Sequence, residues 1–395
     1  MNEVYVVAAT RTPVGKAGRM FSQVRADDLL ISAMRGALAQ VPHLDPAAIE
    51  DVVMGCAMPE GEQGLNLARA TAVLAGLPVS VAGMTLNRFC ASGLSALQVA
   101  ADRIRVGEAD VMMAGGVESM SRIPMGGFHP SWNPCVHLGE NNQSLVLGMG
   151  LTAENVAHRW GISRDEQDQF ALLSHQRAFK AQAENAFDAE ITPVCIEKRM
   201  PVKNTAEVRI THMECKQDEG PRRDTSRDAL ALLKPAFKLK GTVTAGNSSQ
   251  MSDGAACLIL ASESALKQFS MTPLARIRSF SVTGLDPAIM GMGPVEAVPK
   301  ALKRAGVTID QLDWIELNEA FAAQVLAVQK HLCFNPEKLN PVGGAIALGH
   351  PLGASGAIRA TTLVHGLKRT GGKFGLVTLC VGMGQGAAAL LERVS

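Results

Sequence analysis

An α/β fold of two similar halves, packed as alternating helix and sheet layers with an inserted loop region, is what this sequence predicts. Three observations carry that expectation. Short apolar strand patterns alternate with helical ones along the chain. Segments of the N-terminal part return in the C-terminal part at a nearly constant separation. With 395 residues, the chain is too long for one simple core of ordinary size.

The elements follow in order. "VYVVAATRTPVG" is a buried strand running into a polar turn, and "ADDLLISAMRGALAQ", residues 26 to 40, keeps a helical period. "IEDVVMGCAM" returns to strand. "NLARATAVLAG" and "GLSALQVAADRIRVG" are helices closed by glycine at the C-terminal position. "ADVMMAGGVES" is a short apolar strand ending in glycines. This alternation predicts a mainly parallel sheet.

The repeat is legible by register. "ALAQVPHLDPAAIEDVVMG" resembles "ALKRAGVTIDQLDWIELN": Ala37 and Ala301 stand 264 positions apart, Gly55 and Asn318 stand 263 apart. Two "ASG" triplets, at Ala91 and Ala354, keep the separation of 263. One residue is lost between helix and strand in the second copy, as a duplicated unit allows. Between the copies, "SRIPMGGFHPSWNPCVHLGENNQS" is rich in turn formers, "SRDE" opens a long helix as an N-cap with an acidic first turn, and "KNTAEVRITHMECKQDEGPRRDTSRD" is polar and irregular. The expected division is therefore 1–120 for the first half, 121–250 for an insertion suited to covering a ligand, and 251–395 for the second half.

Composition narrows the function classes. A formal net charge of +1 steers the molecule toward neither nucleic acid nor a membrane surface. No run of about 18 apolar residues predicts a membrane span. Charged residues make up only 19%, below the usual quarter, which points to extensive burial, subunit contacts included. Eight cysteines without C-x-x-C spacing argue against a disulfide framework and a zinc ribbon. A strand pattern beginning at the N-terminus and a C-terminal "LLERVS" carry no targeting signal, so cytoplasm is the expected location.

Four places hold chemistry. In "NRFCASG", Cys90 falls between a strand and a helix, where the helix dipole and free N–H groups favour thiolate and small residues admit another molecule. "GGAIALGHPLGASG" sets His350 in a glycine-rich turn before a helix, at the counterpart of the Cys90 turn; it can take a thiol proton or hydrogen-bond a carbonyl oxygen. "LCVGMGQG" ends a strand at Cys380 and leaves backbone N–H groups open to a ligand. "ELNEAFAAQ" puts Asn318 after a strand, where a helix N-cap explains it as well as a functional role does. One thiol can hold an acyl group while another moves protons, a division suited to thioester exchange with carbon–carbon cleavage.

With "GTVTAGNSSQMSDGAA" added, these five motifs and nearly the whole chain resemble the thiolase family of acyl-CoA acyltransferases, nearest its bacterial fatty-acid-oxidation type. The resemblance implies a thiolase-like fold with Cys90 as acylated nucleophile, His350 as its activating partner and Cys380 as general acid/base. It implies one oxyanion hole from His350 and a water held by Asn318, and another from the N–H groups of Cys90 and Gly382. Arg222 and Ser249 match coenzyme A contacts, with His158 a weaker match. Met383 stands where many members have glycine.

The implied activity is cleavage of 3-ketoacyl-CoA by coenzyme A, as co-substrate, in fatty acid beta-oxidation, with no metal and no permanently bound cofactor. A dimer or tetramer is implied too, with room for a hydratase/dehydrogenase partner. The competing readings are a biosynthetic acetoacetyl-CoA thiolase, a cysteine hydrolase and a non-catalytic acyl-CoA-binding protein. "DPAIMGMGP" is the expected lining of the acyl pocket.

Overall fold

In the computed structural model, which describes residues 1–139 and 142–394, the strands are β1 (Val4–Arg11), β2 (Gly15–Lys16), β3 (Asp51–Gly55), β4 (Ala82–Leu86), β5 (Val111–Ser119), β6 (Val194–Pro201), β7 (Val208–Cys215), β8 (Ser252–Ser262), β9 (Ala275–Gly284), β10 (Leu312–Leu317), β11 (Phe374–Val381) and β12 (Gln385–Arg393). The first half orders its strands β4-β3-β5-β8-β1, and the second β10-β11-β12-β9. The senses match: β3–β5 and β10–β11 are parallel, while β5–β8, β8–β1, β11–β12 and β12–β9 are antiparallel. The counterpart of β4 in the second half shrinks to a parallel bridge between Ile315 and Leu339. A short β1–β9 ladder, Tyr5 with Arg276 and Val6 with Ala275, joins the two edges. The duplication read from the sequence is thus a duplication of strand order and direction.

The sheets are mixed rather than mainly parallel. Each half closes with two antiparallel strands, a feature that helix–strand alternation does not encode. The division expected at residue 250 also gives β8 to the second half, whereas β8 lies between β1 and β5 of the first. Its pairing partners are fixed across the whole insertion, which no local pattern reports.

Layering follows from side-chain alternation. Along β8, Ala256, Leu258 and Leu260 face one core, and Cys257, Ile259 and Ala261 face another. The outer core of the first half is roofed by helices Ala26–Ala39 and Leu67–Ala75. The central core holds helices Ser92–Val106 and Leu352–Thr370 between the two sheets, and helices Gly293–Ala305 and Ala322–Leu332 cover the far side. The central helices meet at their "ASG" triplets. A Cβ on Gly93 would lie 2.8 Å from the Ala357 nitrogen, and one on Gly356 would lie 2.4 Å from the Leu94 nitrogen. Each glycine of the repeat therefore admits the other copy's backbone.

The insertion between β5 and β8 carries helices Met149–Arg159 and Arg164–Ala183 and the β6–β7 hairpin. Its long second helix starts at the capping box of Ser163 and Glu166. Arg11 of β1 anchors it, with Nε 2.7 Å from Glu190 Oε1 and Nη1 2.7 Å from Asp218 Oδ1, all three buried. Among the described residues, no helix is long and apolar enough to cross a membrane.

Candidate active site

Cys90 lies in the single turn Phe89–Ala91 between β4 and helix Ser92–Val106, as its motif predicts. Phe89 adopts φ +43°, a left-handed conformation that costs a bulky residue energy. Local hydrogen bonds hold it. Phe89 N–H donates to Asn87 Oδ1 at 2.7 Å, and Ser92 Oγ donates to the Phe89 carbonyl at 2.7 Å. Arg88 then ties this turn to the other half. Its Nε donates to Ser95 Oγ at 2.9 Å and its Nη1 to Gln385 Oε1 at 3.1 Å, just past the β11–β12 turn that carries Gly382.

Gly382 lines the same cavity as Cys90, where its N–H favours the Cys90 thiolate, and the Cys90 charge is felt by Cys380 at the end of β11. Burial pushes the Cys90 thiol up to about 11, against the N–H groups of Gly382 and Cys90 itself. The expected depression toward thiolate is therefore not found: desolvation outweighs the oriented N–H groups at this helix start. Cys380 is raised as well, first by burial and then by the neighbouring thiolate charge.

β10 and β11 end side by side, with Leu317 opposite Thr378 and the Asn318 N–H bonded to the Thr378 carbonyl at 2.9 Å. This puts Asn318 next to the strand end that carries Cys380. Asn318 Nδ2 is 3.3 Å from His350 Nε2, and His350 Nδ1 is 2.6 Å from Ser355 Oγ, which is 2.8 Å from the Pro351 carbonyl. These contacts form one consistent order. Ser355 O–H donates to Pro351, the His350 Nδ1–H donates to Ser355, and the Nε2 lone pair accepts the Asn318 Nδ2–H. Burial, with Arg359 adding to it, pushes His350 down to about 3, so the ring is neutral. The Asn318 Oδ1 is buried without a protein partner.

A cavity of about 570 Å³ opens on Cys90, Gly382 and Met383. Its walls include Met125, Trp132, Leu145, Leu147 and Met149 from the insertion. "DPAIMGMGP" does not line it; Met290 packs instead in the small core around Cys380. Met383 takes φ +62°, the conformation a glycine would occupy without strain.

The residues matched to coenzyme A contacts are spread around the insertion. Ser249 is half-buried, its N–H bonded to the Ala320 carbonyl at 2.9 Å. His158 is exposed in the last turn of its helix. Arg222 is exposed, paired with Asp224 at 3.4 Å, and lines a small pocket with His175 and Arg223. Near Arg222, Arg223 lies over the Phe179 ring and Arg227 pairs with Asp165.

Sequence reasoning missed Arg88, Ser355 and Glu118. The Glu118 carboxylate accepts from the N–H groups of Ala57 and Gly353, each at 2.8 Å, and so pins the Cys90 side to the helix that follows His350. A glutamate closing an otherwise apolar strand was the available signal. Arg88 and Ser355 lay inside quoted motifs, but their partners are distant or specific to the turn.

Two family models cover the chain: the thiolase N-terminal domain matches residues 4–264 and the thiolase C-terminal domain residues 271–393. The 3-ketoacyl-CoA thiolase of Bacillus subtilis (strain 168) is 45% identical over 99% of this chain and 100% of its own. The 3-oxoadipyl-CoA/3-oxo-5,6-dehydrosuberyl-CoA thiolase of Escherichia coli (strain K12) is 44% identical over the full length of both. A crystal structure of human mitochondrial 3-ketoacyl-CoA thiolase in complex with CoA superposes with a TM-score of 0.88 at 39% identity, covering 100% of this chain and 98% of that one.

Proposed function

The chain belongs to the thiolase family and is an acyltransferase, a 3-ketoacyl-CoA thiolase; from that premise we propose that Cys90, His350, Asn318, Cys380 and Gly382 carry out thiolysis in fatty acid beta-oxidation. The observation that carries the assignment of roles is that two thiols from different halves, Cys90 on the cavity and Cys380 buried at a strand end, lie close enough for the charge of one to act on the other, with Gly382 lining the same cavity as Cys90.

Cys90 starts as a neutral thiol and His350 as a neutral ring. The thiol proton leaves as the sulfur attacks the keto carbon, with the Nε2 lone pair of His350 as acceptor once it gives up the Asn318 Nδ2–H, so that no resting ion pair is required. The keto oxygen gains charge against the N–H groups of Cys90 and Gly382, worth on the order of 10² to 10³ in rate per donor. The bond between the alpha and beta carbons breaks, and acetyl-CoA departs as an enolate. His350 faces the enolate oxygen together with a water accepted at the buried Asn318 Oδ1, and Cys380 supplies the proton. Coenzyme A, as co-substrate, gives its thiol proton to Cys380 and attacks the acyl group on Cys90; the Cys90–acyl bond breaks, the shortened acyl-CoA departs, and Cys90 takes its proton back from His350.

Arg222, Ser249 and His158 are proposed contacts for coenzyme A, by family match and by their position along the insertion. A homodimer through the edge strand β4 is also part of this reading, supported by the exposed Leu65, Val73, Leu74, Val79 and Met84 on or beside it. A tetramer built on that dimer, and association with a hydratase/dehydrogenase subunit, extend the same reading. Eight cysteines with no C-x-x-C spacing suit the reducing cytoplasm.

The test is intact mass after incubation with 3-ketooctanoyl-CoA. An acyl adduct on Cys90 that disappears on adding coenzyme A is expected. An adduct that hydrolyses without coenzyme A, or no adduct at all, would overturn the reading.

A further inference from the structure

The cavity on Cys90 has an uneven chemistry that the cleavage step does not use. Its walls are apolar on the side contributed by the insertion, through Met125, Pro130, Trp132, Leu147 and Met149. Among its described lining residues there is no lysine, arginine or histidine, and the one charged side chain is Glu60. That carboxylate is fixed in place: Glu60 Oε2 accepts the Phe128 N–H at 2.6 Å. A Cβ on the adjacent Gly127 would fall 2.1 Å from Glu60 Oε1, so the loop closes directly over the carboxylate.

Resting on the thiolase reading above, we propose that this cavity seats the acyl tail and selects uncharged, apolar tails, with Glu60 as the residue that turns away a tail ending in carboxylate. An aliphatic chain leaving the Cys90 thioester meets methionine, leucine and tryptophan, and gains by losing water from its own surface. A terminal carboxylate in the same place loses its hydration, finds no cation and faces a second fixed negative charge. The discrimination is therefore twofold, with apolar walls favouring one class of tail and Glu60 repelling the other.

The experiment compares kcat/KM for 3-ketooctanoyl-CoA and 3-oxoadipyl-CoA, with acetoacetyl-CoA as a substrate nearly without a tail. The wild-type enzyme is expected to prefer 3-ketooctanoyl-CoA by roughly 10²-fold or more. Glu60→Gln keeps an oxygen to accept the Phe128 N–H while removing the charge, and should lower that preference about tenfold by raising the 3-oxoadipyl-CoA rate. Trp132→Arg, at a half-exposed rim position, should shift the ratio in the same direction by adding a cation. A wild-type ratio near one, or a ratio unmoved by both variants, would overturn the selection while leaving thiolysis intact. Failure of all three substrates would instead remove the thiolase reading and this inference with it.

Discussion

The two halves share strand order, strand direction and the crossing helices, yet they connect their last two strands in opposite ways. In the first half β5 reaches β8 only after residues 120–251; in the second half β11 reaches β12 through residues 382–384. The tight turn delivers one local feature, Gly382 on the wall of the cavity that holds Cys90, with its N–H favouring the thiolate. The long connection delivers surface: the apolar cavity wall and the proposed coenzyme A contacts. A duplicated scaffold thus separates its tasks, with rigid short elements holding the reacting atoms and an extended loop region shaping what reaches them. The aligned helix starts differ in the same sense. By the repeat register, Cys90 falls opposite Gly353 and Asn87 opposite His350, so a common backbone carries unlike side chains.

The largest expected effect tests the tight side of this comparison. Cys90→Ala should lower kcat by about 10⁴-fold or more and abolish the acyl adduct. Cys380→Ala should keep slow acylation from a simple acyl-CoA while carbon–carbon cleavage falls by about 10² to 10⁴. Equal, mild losses in both steps would break the division of roles between the thiols.

The resting protonation state is the next test. With the Cys90 thiol near 11, alkylation by iodoacetamide should climb steadily through the alkaline range, the thiolate fraction growing about 10⁴-fold between neutral pH and plateau. The sign follows from burial: a raised thiol pKa keeps the proton on at neutral pH. A plateau reached below about pH 8 would establish a preformed thiolate instead.

Arg11→Ala addresses the long connection. It leaves Glu190 and Asp218 buried without their cation, and should cost about 3–5 kcal/mol in urea unfolding. A loss under about 1 kcal/mol would mean that the insertion is anchored elsewhere. Gly93→Ala and Gly356→Ala probe the shared part. Each should cost about 1–3 kcal/mol, because the added carbon meets the opposing helix backbone. If only one of the pair destabilises, the crossing is not symmetric in energy.

Met383→Gly should have the smallest effect on stability, within about 1 kcal/mol, since relief of the left-handed strain is offset by the flexibility glycine brings to the unfolded chain.

Much of the site was legible because its chemistry demands particular atoms in local settings. The thiol of Cys90 before a helix, the imidazole of His350 in a glycine turn and Cys380 at a strand end all announce themselves within a few residues. Asn318 was ambiguous alone, because an N-cap and a functional carboxamide look alike until its neighbour is known. Arg88, Ser355 and Glu118 were not legible in these roles, since each matters through a bond to a residue that folding brings near. The surroundings of "DPAIMGMGP" were hidden for the same reason: its composition suits a cavity wall, but Met290 packs in the small core that holds Cys380.

By itself the sequence determined the alternation of strands and helices, the duplicated register, the reactive side chains and the family they belong to, because those reside in residue type and short spacing. Tertiary structure alone decided the antiparallel closure of each sheet, the place of β8, the neutral resting state of Cys90 and His350, and the apolar wall over them. Burial and long-range pairing set these, and both are properties of the folded whole rather than of any segment.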